Sequence, residues 1–349
     1  MCIRDRYYIQ HDEAGAALAL EELRRTAESL DSGFFLAWYA SEAGYFAAHR
    51  GDFETARALF DQGLYWCQVV GDPSTGGFAA AWSLDARAAT GDRAEAAAEL
   101  DALLARANAA GSGLALTEVV TALADIALAT GDITTARAYL EPAIATSGTE
   151  TPPSWLAQLL RALGAARRIA GDLEGAQATL DEATELVAPQ GNDWLLARIE
   201  YELALVAHAR GEENAENLLH SALRRQVVHD LRPGITATLD ALGALAFDAE
   251  STIEAVRCFA GADALRSATG LAARPFEAAQ RAPIIASARE LLGAETFDQH
   301  WTEATNLSLD ELIEYVSRAR GERKRPTVGW ASLTPVSYTH LTLPTILRV

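Results

Sequence analysis

A Gly-Asp pair recurs every 40 residues, and this period restricts the chain to a stack of similar units. The pairs are Gly51-Asp52, Gly91-Asp92, Gly131-Asp132 and Gly171-Asp172, and Gly211-Glu212 continues the series. Five residues after each of the first four glycines stands an alanine: Ala56, Ala96, Ala136 and Ala176. Ala215 and Ala255 extend that line with steps of 39 and 40, and in the sixth unit Glu250 occupies the glycine position. Fixed self-similarity of this length marks a repeat architecture.

The chemistry of one unit follows from those residues. Glycine can take the left-handed conformation that ends a helix, and the next aspartate can cap the helix that follows. Four residues after the alanine come Phe60, Leu100, Leu140, Leu180, Leu219 and Phe259. On a helix that large position shares a face with the small one. Seven after it come Gly63, Leu103, Ala143, Ala183, Ala222 and Ala262. Each unit is therefore an antiparallel helix pair with a small-residue seam, unable to bury its apolar face without neighbours. Prolines at 73, 152, 153, 189, 233 and 275 mark unit borders, and Pro142 should kink or shorten the helix that contains it. No alternation of β-branched residues suggests a sheet. The expected fold is an all-α solenoid of about six antiparallel helix pairs with a C-terminal helical cap.

Such pairs resemble the tetratricopeptide repeat in a long-helix variant, since the usual unit is 34 residues. After the array come Leu291-Leu292-Gly293-Ala294-Glu295-Thr296-Phe297-Asp298-Gln299-His300-Trp301 and Leu307-Ser308-Leu309-Asp310-Glu311-Leu312. A basic run (Arg318, Arg320, Arg323, Lys324, Arg325) and Gly329-Trp330-Ala331-Ser332-Leu333-Thr334-Pro335 follow. This tail resembles the C-terminal part of large LuxR-type transcriptional regulators of the maltose-regulator-like, ATPase-containing kind. The resemblance implies an N-terminal ATPase, a tetratricopeptide-like region, a basic linker and then a helix-turn-helix. It divides the chain into a repeat array over 7–275, a helical cap over 276–317 and a basic linker over 318–335. ATP would belong only to the missing N-terminal domain, and no cofactor is expected in this chain. A free-standing tetratricopeptide adaptor for protein complexes is the alternative.

Residues 1–6 and 336–349 fit neither reading. Met1 to Asp5 and Val336 to Leu341 back-translate to strings that are reverse complements, in the manner of a transposon end used in sequencing libraries. They are expected to be adapter read-through, excluded from fold reasoning.

Composition and motif searches narrow the function. The net charge is −19, which disfavours DNA binding by the chain as a whole. Cys2, Cys67 and Cys258 have no pair spacing, as expected of a cytoplasmic protein. No apolar run is long enough for a membrane helix. A phosphate loop, Cys-x-x-Cys, His-Glu-x-x-His and Gly-x-Ser-x-Gly are all missing, so no enzyme activity and no metal site are expected. Gly111-Ser112-Gly113 reads as a loop. His49 and His208 sit at equivalent helix ends, and Trp155 and Trp194 at equivalent helix starts; all four read as packing residues.

The binding surface is expected on the first helices, at positions 18, 15 and 11 before the alanine, which form one helical stripe. Its candidates are Trp38, Tyr45, Asp85, Glu118, Thr121, Asp125, Gln158, Arg161, Glu200 and Asp240. Ala165 lies on the same stripe and is expected to tolerate enlargement. A groove that varies from unit to unit suits a protein, a peptide or a small effector, alongside the other domains of a parent regulator. DNA and membrane are not expected partners.

Overall fold

The computed structural model describes residues 13–109, 116–148 and 151–318; the adapter-like ends and Arg320 to Pro335 lie outside them. Among the described residues there are sixteen α-helices and no strand. Helix α1 (Glu13–Ser29) precedes six pairs: α2 (Gly33–His49) with α3 (Phe53–Val70), α4 (Pro73–Ala89) with α5 (Arg93–Ala109), α6 (Leu116–Thr130) with α7 (Ile133–Ala145), α8 (Pro153–Ile169) with α9 (Leu173–Val187), α10 (Asp193–Ala209) with α11 (Ala215–Val228), and α12 (Arg232–Asp248) with α13 (Thr252–Thr269). Three helices follow: α14 (Pro275–Leu292), α15 (Ala294–Thr305) and α16 (Leu309–Arg318). Each helix from α1 to α15 packs on its sequence neighbours in that run, α16 packs on α13, and first helices stack on first helices from α2 through α12.

The turns inside the pairs are built alike. Gly51, Gly91, Gly131, Gly171 and Gly211 all have positive φ, between 69° and 117°. In each, the glycine N–H bonds the carbonyl three residues back and the next residue bonds the one five back, as in Gly51 to Ala48 (3.0 Å) and Asp52 to Ala47 (2.9 Å). This is the Schellman closure, which satisfies carbonyls left over at a helix end. Asp52, Asp132 and Asp172 then accept from the backbone N–H three residues on, at 3.0–3.1 Å; such caps contribute about 1 kcal/mol each. Asp92 is engaged instead by Arg87 (Nε–Oδ2 2.8 Å). In the sixth pair Glu250 adopts φ 62° and makes the same two bonds, to Phe247 and from Ser251 to Ala246. A side chain there is strained by roughly 1–2 kcal/mol.

Second helices bury the seam. The six alanines are at most 1% exposed, and so are Phe60, Leu100, Leu140, Leu180, Leu219 and Phe259. The opposing first helix yields where these side chains need room. A Cβ on Gly44, Gly164 or Gly243 would lie 2.6–2.9 Å from Phe60, Leu180 or Phe259 respectively. These glycines stand twelve residues before the alanine, a second small position of the repeat. Pro73, Pro153, Pro233 and Pro275 fall in the first turns of first helices or of α14, where a missing N–H costs nothing. Pro142 lies inside α7, which at 13 residues is the shortest of the twelve paired helices.

The C-terminal helices close the last pair. Phe297 and Trp301 stack at 5.3 Å, and Phe297 is buried with Val256 and Ala288. Ser308 and Glu311 form a reciprocal capping box at the start of α16: Ser308 N–H donates to Glu311 Oε2 (2.8 Å) and Glu311 N–H to Ser308 Oγ (3.3 Å). The tail's Leu-Ser-x-Asp-Glu sequence thus has a local physical role. Leu312 and Val316 are buried against the end of the array.

Two stability outcomes follow. Ala136→Leu should overpack the seam and cost roughly 1–3 kcal/mol in denaturant unfolding, whereas Ala138→Leu, exposed on the same helix, should stay within about 0.5 kcal/mol. Ala165 cannot serve as the tolerant position expected above: it is 3% exposed and packs with Ala162 and Ala166. Glu250→Gly should raise stability by about 1 kcal/mol, and Gly171→Glu should lower it by a similar amount. An unchanged midpoint in both variants would mean that the left-handed turns carry no strain.

Candidate functional site

The array winds far enough for its first pair to meet its fifth. Tyr45 on α2 packs on Trp82 of α4 at 4.6 Å and lies 6.4 Å from Trp194 of α10, while His49 lies 5.0 Å from Trp194. Phe78 bridges Trp82 (5.6 Å) and Trp155 of α8 (6.1 Å). This inner aromatic cluster joins α2, α4, α8 and α10. Tyr45 and Trp194, 7% and 4% exposed, therefore pack rather than present an open surface.

Beyond the aromatic cluster, a cavity of about 260 Å³ opens between the first helices. Its charged lining is Asp85, Arg93, Asp125, Arg161, Arg198, Glu202, Arg266 and, from the segment after α13, Arg274 and Glu277. Asp125 is the hub. Arg161 Nη2 donates to both of its oxygens (3.0 and 2.8 Å), and Arg198 Nη2 to Oδ2 (3.0 Å). Burial works against the ionised carboxyl, but Arg161, Arg198 and Arg274 outweigh it and hold Asp125 below its ordinary range. Arg198 also lies over the Trp194 ring, 5.1 Å from its centre, a cation–π contact.

Asp85 behaves in the opposite way. It forms no ion pair with any described residue. Asp85 is exposed on the cavity wall; desolvation by the protein around it, and then Asp125 and Glu118, push its carboxyl up to about 6 against the pull of Arg198 and Arg161.

A strap formed by residues 271–277 crosses the inner face. Ala272 N–H donates to the Ala89 carbonyl (2.9 Å), and Arg93 Nη2 donates to the carbonyls of Ala272 (3.3 Å) and Ala273 (2.9 Å). Arg274 reaches the Asp125 carbonyl (3.5 Å) and pairs with Glu277 (3.0 Å). Phe276 fills the space that a side chain at Gly131 would take, 2.8 Å from the ideal Cβ.

The ten expected groove residues are dispersed by this geometry. Asp85, Asp125 and Arg161 line the cavity. Thr121 and Gln158 are buried, 5% and 8% exposed, and Glu118 is half-buried near Asp85. Trp38 is exposed beside Phe34 at the N-terminal end. Glu200 pairs with Arg225 (3.1 Å), and Asp240 with Arg266 and Arg281, away from Asp125. Arg93, Arg198, Tyr201, Arg274 and Glu277 belong to the cavity but lay outside the stripe.

Among the described residues no cluster suited to a metal ion occurs, and no helix is long and apolar enough to cross a membrane. The Cys67 and Cys258 thiols are free and buried; burial pushes Cys67 up to about 11 and Cys258 higher. His208 bonds Asp248 at 2.7 Å at a helix end.

No family model matches the chain. Over 134 residues it is 42% identical to proteins of Mycobacterium bovis and of two strains of Mycobacterium tuberculosis that are provisionally named HTH-type transcriptional regulators. The matched stretch is 38% of this chain and 15% of each relative.

The aromatic cluster makes a pH prediction. Burial, with a smaller contribution from Arg198, drops the His49 imidazole from 6.5 to about 4, although its ring bonds the Tyr45 carbonyl (2.9 Å). A depressed histidine stabilises the fold above the unfolded value, and this is lost as pH falls from about 6.5 towards 4. His49→Gln should therefore shrink the stability difference between neutral pH and pH about 4 by of order 1–2 kcal/mol. Parallel stability–pH curves for the two proteins would place His49 in a solvated setting instead.

Proposed function

We propose that this chain is the sensing repeat segment of a cytoplasmic LuxR-type transcriptional regulator, taking a protein, peptide or small effector on the inner face of its array. The observation that carries this reading is the 42% identity to HTH-type regulators of which the chain spans 15%. A helical-repeat fold with a charged inner cavity supports a coupling role, because a ligand there touches several pairs at once. ATP binding and DNA reading fall to other parts of the parent protein. The segment works as a scaffold whose inner contacts change with occupancy, and it has no catalytic task.

Gel-shift titration at two salt concentrations tests the division of labour. The chain over 7–335 should show no sequence-selective DNA binding. Any residual binding should be weak and salt-sensitive, and should vanish when Arg320, Arg323, Lys324 and Arg325 are neutralised. The parent with its helix-turn-helix should prefer its own site by about 10³-fold or more over non-specific DNA. Tight selective binding by 7–335 alone would overturn this architecture, and a parent lacking any DNA-binding domain would favour a free-standing adaptor.

A further inference from the structure

The inner cavity carries a charge imbalance that the rest of the molecule does not. The whole chain is strongly acidic, at −19. Inside the cavity, however, the single Asp125 carboxylate serves both Arg161 and Arg198. Glu277 is taken by Arg274, Glu202 by Arg168, and Arg266 by Asp240 and Asp263. Arg93 donates hydrogen bonds only to backbone carbonyls among the described residues, with Glu277 acting on it from the strap through charge alone. One guanidinium over Asp125 and Arg93 are thus in excess of the ion pairs formed, and Asp85 is the cavity carboxylate that enters none of them.

Arg161 adds an independent observation. It is 4% exposed, lines the cavity, and its Nε has no hydrogen-bond partner among the described residues. A buried donor left unmade costs about 1–3 kcal/mol, more for a charged group. Guanidinium donors in a fork match the oxygens of a carboxylate or phosphate. Around them lie Ala88, Ile126, Ala129, Ala237 and Leu271, an apolar wall for the rest of a ligand. At about 260 Å³, the space falls just below the usual range for ligand pockets, about 300–1,000 Å³. We propose that this cavity binds a small organic oxyanion, with Arg161, Arg198 and Arg93 meeting its charged end and the alanine-lined wall its apolar body. The inference rests on the reading of the inner face as an effector site and adds the ligand's chemistry.

Asp85 then sets the strength of binding. It faces Asp125 and Glu118 from α6, Arg161 from α8 and Arg198 from α10. When ionised it repels an incoming anion, and when protonated it does not. Anion affinity should accordingly rise as pH falls through about 6.

Calorimetric titration of the full chain with benzoate and with its neutral counterpart benzamide tests the proposal, since the benzoate carboxyl stays ionised over the relevant range. Benzoate should bind saturably and raise the melting temperature by mass action, with benzamide about tenfold weaker or more. Arg198→Gln and Arg93→Gln, checked for helicity, should each weaken benzoate about tenfold. Asp85→Asn should tighten it several-fold at neutral pH and abolish the pH dependence. Equal affinity for the acid and the amide, no benzoate binding, or arginine variants that bind like the parent chain would each overturn the oxyanion assignment. Saturable binding of neutral sugars or of benzamide at least as tight as that of benzoate would sink the anion chemistry while leaving the effector site standing. Loss of selective DNA binding in the parent protein would instead strike the regulator reading.

Discussion

Five of the six pairs reverse direction within three residues and the fifth within five, and the left-handed residue in that reversal fixes everything downstream. It returns two carbonyl bonds to the outgoing helix and, in the first, third and fourth pairs, hands the chain to an aspartate that caps the next one. Because the turn is so short, the second helix must start at a set height against the first. That height brings the alanine to the closest approach and the large apolar residue four positions on into the partner's small position. Burying such a side chain is worth about 1.5–3 kcal/mol, and repeating the turn repeats the gain. Glu250 shows how strong the constraint is: it adopts the same conformation without glycine's freedom.

The pairs and their boundaries were legible in the sequence because they depend on neighbours a few residues apart. Gly51, Asp52, Ala56 and Phe60 act on one another within a single turn and the helix it launches. The second small position was equally periodic in principle, but only Gly44, Ala124, Gly164 and Gly243 keep it; Leu84 and Leu203 occupy it in the other two units. Degeneracy of that kind hides a signal that close packing makes plain.

The cavity was much less legible, and the reason is geometric. A stripe at fixed positions assumes that every first helix shows the interior the same face at the same height. Here α4 and α6 line the cavity near their C-terminal ends, through Asp85, Ala89, Asp125 and Ala129. Further along, α10 contributes Arg198, Tyr201 and Glu202, and α12 lines it with its first turns, through Pro233, Gly234, Thr236 and Ala237. Small rotations between units accumulate, so the lining residues drift along the helices. Asp85, Asp125 and Arg161 lay on the stripe because the drift crosses it there. Arg274 and Glu277 could not lie on it at all, since they come from a segment outside the period.

That segment changes the statistics of the fold. In an open array each unit touches only its neighbours, so stability is a sum of local terms and the ends melt first. Here the backbone of Ala272 is bonded to that of Ala89, and Arg93 spans a sequence separation of about 180 residues to hold Ala272 and Ala273. Repeats two and three are thus tied to the end of repeat six, and the line becomes a ring. A ring has no free end at those positions. Melting of the sixth pair must release contacts in the second and third, so separate one-unit transitions merge into a larger cooperative block. The same tie delays folding, because the block closes only after some 180 residues of chain have been brought together.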